Sequence, residues 1–216
     1  MSVILYSYFR SSAAYRVRIA LNLKKIHYTI RAVHLVNNGG EQYNADYLAI
    51  NPQGRVPVLL IDDKTIIQST AIIEYLEEVY SSPALLPKQA DERAYVRSLA
   101  QVIACDIHPL NNIRVLKYLE ANSEIDTKGK WYRHWIEEGF SALEQLLSTQ
   151  DYSGRFCFAD EPGIADVFLI PQVYNALRYG FDLRNYPLIS GIYHQAMKQT
   201  AFRNAAPENQ PDAEID

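Results

Sequence analysis

The chain has 216 residues, 48% apolar and 21% charged, an ordinary globular composition that excludes a disordered one. Its 21 basic and 25 acidic residues give a net charge of −4, which argues against a general nucleic-acid binder, because neutralising phosphates needs a basic surface. The charge is uneven: residues 1–40 hold Arg10, Arg16, Arg18, Lys24, Lys25 and Arg31 and no acid, a local +6 that leaves −10 on the rest.

In chain order, Val3-Ile-Leu-Tyr6 reads as a buried strand. After Ser11-Ser12, residues 13–25 carry Val17, Ala20, Leu21 and Lys24 in a helical stripe with a basic last turn. Residues 28–35 have β-branched character and read as a second strand, so the opening predicts a parallel crossover unit. Val58–Ile61 and Thr65–Ile67 flank Asp62-Asp63-Lys64, a hairpin spacing. Ser69 reads as N-cap of a helix through Ile72, Ile73, Tyr75, Leu76 and Val79. From Ser81 the pattern changes. Ser81-Ser-Pro-Ala-Leu-Leu-Pro87 is a linker by its prolines, and beyond it only helical patterning appears, over 91–121, 128–147, 164–179 and 187–198. Gly163-Ile-Ala-Asp166 is half of a capping box, with a folding role expected. The tail 205–216, with four acids, two prolines and no periodicity, is expected to be loosely held.

Other classes are disfavoured. No apolar run approaches the roughly 20 residues of a membrane span, and Met1-Ser2 leads into a strand with no basic leader, so neither membrane nor export is expected. Cys105 and Cys157 form no disulfide framework, and reduced thiols of a cytoplasmic protein are the default. The five histidines are scattered, and neither a Walker loop nor Gly-x-Gly-x-x-Gly occurs, so no metal or nucleotide site is expected. The basic opening segment suits a small anionic ligand, or else is a solvated helix face.

The stretch Tyr6-Ser-Tyr-Phe-Arg10-Ser11-Ser12-Ala13-Ala-Tyr-Arg16-Val-Arg-Ile-Ala-Leu21 resembles the signature of zeta-class glutathione transferases, the maleylacetoacetate isomerases. Further likenesses follow at Asn51-Pro52, Val56-Pro57, Gln68-Ser69, Ala71–Glu77, Asp106–Asn112 and Pro171–Ala176. The resemblance implies a thioredoxin-like α/β domain over 1–82, an all-α domain over 89–216, a homodimer and a cis Val56-Pro57 bond. One departure stands out: Ala13 occupies the position where the family usually has a cysteine.

The implied chemistry is cis–trans isomerisation of a small dicarboxylate, maleylacetoacetate, with glutathione as cofactor. Its thiolate adds to the double bond, lets it rotate and leaves. Lowering a thiol pKa from about 8.5 by about two units stabilises the thiolate by roughly 2.7 kcal/mol, and a helix N-terminus with a hydroxyl donor can do this. Ser11 is therefore the expected thiolate donor, assisted by Ser12, although both also read as plain N-caps. Gln68 and Ser69 open a second helix suited to the γ-glutamyl carboxylate. Val56 is expected to hold the cysteinyl part through its backbone, and the likeness adds Gln42, His108 and Asn112, the last two i, i+4 and so on one helix face. Arg16 joins the glutathione-binding candidates, while with Arg18 it also reads as a packing or ion-pairing residue. For the diacid, planar donors fit best, and Arg10, Arg114 and Arg178 are the candidates. Rival readings are a maleylpyruvate isomerase, a conjugating or dehalogenating transferase, and a non-catalytic transferase-like scaffold.

Overall fold

The computed structural model describes residues 2–122, 127–149 and 154–214. The chain divides into two compact units, Met1–Ala84 with Met197–Asp216, and Leu85–Ala196.

The first unit runs β1 (Val3–Ser7), α1 (Ser12–Leu23), β2 (Thr29–Ala32), α2 (Ala45–Ile50), β3 (Val58–Ile61), β4 (Lys64–Ile67) and α3 (Ser69–Val79). The sheet order is β2-β1-β3-β4. β1 and β2 are parallel, Ile4 facing Thr29, whereas β1–β3 and β3–β4 are antiparallel, as crossover and hairpin spacings require. This is a thioredoxin-like arrangement. β2 is shorter than expected because a side chain ends it: His34 Nδ1 accepts the Val36 and Asn37 amides at 3.2 and 2.8 Å, turning the chain into short 3-10 turns. The cis Val56–Pro57 bond is present, and Ser82–Pro83 is cis as well.

The basic segment is a solvated face only in part, at Lys25 and Arg31, which are exposed. Arg16 and Arg18 are 2% and 0% exposed, and Lys24 is buried with its Nζ on Glu77 Oε2 at 2.7 Å and on the carbonyls of Tyr80 and Pro83. Nor is the tail loose. A further helix, Thr200–Ala205, packs on α1. Beyond it Ala206 and Pro207 are buried, and Gln210 Nε2 donates to the carbonyls of Asn204 and Ala206. Residues from Met197 onward, expected with the second domain, cluster with the first unit.

The second unit is helical, with α4 (Ala90–Gln101), α5 (Ile113–Asn122), α6 (Thr127–Thr149), α7 (Ile164–Arg178) and α8 (Pro187–Ala196), so the helix closing the first unit is α9. α7 is its core: eleven residues from Ile164 to Ala176 are buried, as an all-round apolar helix demands. The single helical run read over 91–121 is broken. Val102–Ile107 form a π-helical turn, followed by a non-helical turn to Asn112. Ile107 there lies so close to α6 that a Cβ on Gly139 would sit 2.3 Å from its Cδ1, and only glycine allows the approach. Among the described residues no helix is long and apolar enough to cross a membrane.

Candidate active site

Three segments of the first unit are joined by a chain of contacts. The first is the start of α1. Ser11 Oγ accepts the Ala14 N–H at 3.2 Å and the Ser11 carbonyl accepts the Tyr15 N–H at 2.8 Å, so Ser11 is the N-cap. The cap uses a lone pair of the hydroxyl and leaves its proton to be donated elsewhere. Ser12 is the first helical residue and is buried, and Ala13 follows it in the first turn. The amides of that turn have no intrahelical acceptor and carry the positive end of the helix dipole. Arg10, half-buried, lays its guanidinium 4.9 Å above the Phe9 ring.

The second segment is the start of α3, where the expected cap is corrected. Gln68, not Ser69, holds the cap position, at φ 71° and ψ 122°, and no side chain caps the helix. A left-handed φ on a non-glycine residue costs about 1–3 kcal/mol and gathers at ligand clamps. It makes Ser69 the first helical residue, buried, with Oγ accepting from Arg16 Nη1 at 3.3 Å. Arg16 thus ties the second turn of α1 to the start of α3. Gln68 Nε2 donates to Gln53 Oε1 at 2.7 Å, which reaches the third segment.

That segment is the loop before β3. Val56 is buried and precedes the β3 ladder, which starts at Val58, so its backbone is not a sheet rung. Tyr47 Oη and Asn51 Nδ2 both donate to the Arg55 carbonyl, at 2.7 and 2.8 Å, and Asn51 Oδ1 accepts the Gln53 amide. Burial, and then the neighbouring Tyr6 phenol, hold the Tyr47 hydroxyl above its ordinary pKa, so it stays a donor. Gly54 takes φ 58°, and a Cβ on it would lie 3.2 Å from the Gln42 carbonyl oxygen. Gln42 is buried; its Nε2 lies 3.4 Å from the Leu35 carbonyl, and its Oε1 has no partner among the described residues. Arg16–Ser69 and Gln68–Gln53 thus tie the start of α1, which carries Ser11 and Ser12, to the start of α3 and to the loop that carries Val56, and Gln42 lies beside Gly54 of that loop. Sequence reasoning gave no role to Gln53, Tyr47 or Asn51, whose only signal was the Asn51-Pro52-x-Gly54 turn.

The remaining candidates lie in the second unit. His108 and Asn112 do not share a helix face, since both stand in the turn between the π-helical segment and α5. The His108 amide donates to Ile103 O at 2.9 Å. Asn112 acts as cap of α5, its Oδ1 accepting the Arg114 amide at 3.0 Å and its carbonyl the Leu116 amide at 3.0 Å. Arg114 is exposed in the first turn of α5. Arg178, at the exposed end of α7, donates to Asn175 Oδ1 at 3.3 Å and lies 4.7 Å above the Tyr179 ring. That ring stacks on Tyr132 at 4.2 Å, and burial and then Tyr179 raise the Tyr132 phenol pKa against the opposing pull of Arg178.

Residues 1–78 match the glutathione S-transferase N-terminal domain family and residues 130–205 the glutathione S-transferase C-terminal domain family. A probable maleylacetoacetate isomerase of Vibrio cholerae is 49% identical over 215 residues, covering 99% of both chains. The holo structure of a bacterial zeta-class maleylpyruvate isomerase superposes with a TM-score of 0.94 at 45% identity, over 98% of this chain and 100% of that one. A maleylacetoacetate isomerase of Methylobacterium extorquens with bound malonate and glutathione gives 0.93 at 40% identity, over 98% and 100%.

Proposed function

The chain belongs to the zeta class of glutathione transferases, the maleylacetoacetate isomerase family, and from that premise we propose that it converts maleylacetoacetate to fumarylacetoacetate with glutathione as cofactor. The observation that carries the reading is the start of α1, where a serine caps the helix with its oxygen and keeps its proton to donate. The residues present suit the tripeptide. They offer a hydroxyl at one helix N-terminus, a hydroxyl and amides at another, an unladdered backbone at Val56, and the buried Gln42 Oε1 awaiting a donor. An acceptor left so costs about 1–3 kcal/mol unless something donates to it.

When bound, glutathione supplies a thiolate that adds to the cis double bond, permits rotation about the resulting single bond and is eliminated unchanged. Ser11 donates its hydroxyl proton toward the sulfur, and the first amides of α1, Ser12 among them, add the dipole's positive end. Gln68 and Ser69 receive the γ-glutamyl carboxylate, with Arg16 holding Ser69 in place. Val56 pairs with the cysteinyl backbone. His108 and Asn112 are further glutathione contacts, and Arg10, Arg114 and Arg178 take the carboxylates of the diacid. Ala13 in the family's cysteine position leaves the sulfur of the cofactor as the nucleophile. The reading includes a cytoplasmic homodimer serving tyrosine and phenylalanine breakdown, which sedimentation and a growth phenotype on tyrosine test.

The likeness to a maleylpyruvate isomerase favours one rival, the same reaction on a shorter diacid. A glutathione-dependent assay of both acids decides between them. Faster turnover of maleylacetoacetate is expected; equal or faster turnover of maleylpyruvate overturns the first choice, and none on either overturns both.

A further inference from the structure

Residues 212–214 grip the segment that leads into the start of α1. Asp212 Oδ2 accepts the Phe9 amide at 2.9 Å, across 203 residues of sequence, and Asp212 Oδ1 is buried with no partner among the described residues. A carboxylate is held in such a place only if the fold specifies it, because its second oxygen is desolvated without return. Around it the grip widens. Ala213 packs on the cluster that contains Tyr8, Phe9 and Val56. Glu214 Oε1 lies 3.0 Å from His34 Nε2 and accepts from Asn37 Nδ2 at 3.3 Å. His34 stacks edge-on with Tyr8, Tyr8 edge-on with Phe9, each at 4.8 Å, and Phe9 carries the Arg10 guanidinium on its face. On the carbonyl side Arg18 finishes the clamp. Its Nη2 donates to Phe9 O at 3.0 Å and its Nε to Ala205 O at 2.8 Å, joining the same segment to the end of α9.

Taking Arg10 as an anchor of the diacid, as in the reading above, we propose that Asp212 is a positioning residue for the reaction. By holding the Phe9 amide it fixes the aromatic platform of Arg10 and, one residue on, the Ser11 cap. The tail is then part of the active-site apparatus although it touches no reacting atom. Deletion of the carboxylate should loosen residues 8–11 without unfolding the sheet.

The experiment compares wild type, Asp212→Ala, Asp212→Asn and Glu214→Gln by two independent readouts. Hydrogen–deuterium exchange of the peptide spanning residues 8–12 should rise about tenfold in Asp212→Ala, with β3 and β4 peptides unchanged. In kinetics with maleylacetoacetate, kcat/KM should fall about tenfold through KM for the diacid, while KM for glutathione stays within twofold. Asp212→Asn keeps an oxygen for the Phe9 amide and should recover to within threefold. Glu214→Gln, on an exposed side chain, should raise the diacid KM two- to threefold. Unchanged exchange at residues 8–12, or kinetic losses that follow Tm in every variant with no recovery in Asp212→Asn, overturns the proposal. A wild type inactive on the diacid, with exchange altered as stated, overturns the functional reading and leaves the positioning role standing.

Discussion

α1 and α7 both begin with amides that their own helix cannot satisfy, and they dispose of them differently. At α7 the buried carboxylate of Asp166 accepts the Gly163 amide at 2.8 Å and the buried Cys157 amide at 2.9 Å. A carboxylate can only accept, so the group at that helix start has no proton to offer a ligand. At α1 the capping group is the Ser11 hydroxyl, which accepts from Ala14 and still carries a proton. A hydroxyl cap therefore stabilises the helix and remains a donor, whereas a carboxylate cap ends its work at stability. The difference is one of chemistry at the cap, not of helix geometry.

The largest effect that would sharpen this contrast is on catalysis. Ser11→Ala should lower glutathione-dependent turnover about 100- to 1000-fold, the usual size for a lost donor to a developing anion. Its cost in stability, read by thermal unfolding, should be only about 1 kcal/mol, a typical cap loss. Turnover unchanged in that variant would make Ser11 a cap like any other. Asp166→Ala should do the reverse: about 3 kcal/mol less stable in urea, because the Cys157 and Gly163 amides lose their acceptor, with kcat of the folded enzyme nearly unchanged.

Asp166 also has a pH signature. Burial raises its pKa above 3.8, outweighing the amides that oppose the rise. A carboxyl that binds its proton more tightly when folded contributes most below 3.8 and loses that contribution as pH climbs through its folded value. Relative to Asp166→Asn, the wild type should therefore lose stability as the pH rises from about 4, and then level off. A relative gain over that range would mean that the amides dominate. Smaller still, Ser69→Ala should raise KM for glutathione about tenfold and leave kcat alone, a uniform binding loss. Last, thiol reagents at pH 8 should find only Cys105, which is exposed, in the native protein and both cysteines in denaturant, since burial and then Asp166 push the Cys157 thiol up.

Much of this was legible in one dimension. Alternation and spacing in the first 80 residues predict the crossover and the hairpin, because each buried face must repeat with its element's period. What escaped was set by tertiary partners. Arg16 and Arg18 read as packing or ion-pairing residues, but nothing in the sequence marks their partners, Ser69 and the carbonyls of Phe9 and Ala205, or Glu77 as the partner of Lys24. Ser69 looks like a cap because its residue type suits one, and only the backbone turn at Gln68 moves it one place inward. The tail has no period because it works through single contacts, hydrogen bonds of Gln210 and Asp212 to main chain and of Glu214 to side chains, which leave no mark on hydropathy. Spacing alone puts His108 and Asn112 on one helix; the π-helical turn before them ends that helix.

The tail has one more consequence, in the order of assembly. The first unit is closed by Met197–Asp216, with the whole second unit threaded between its parts. A ribosome delivers the chain from its N-terminus, and domains generally fold as they emerge. Here the sheet and α1 must wait through more than a hundred residues of synthesis before α9 and Asp212 arrive. A nascent or prematurely terminated chain would thus hold a sheet and a serine at a helix start, yet lack the clamp on Phe9.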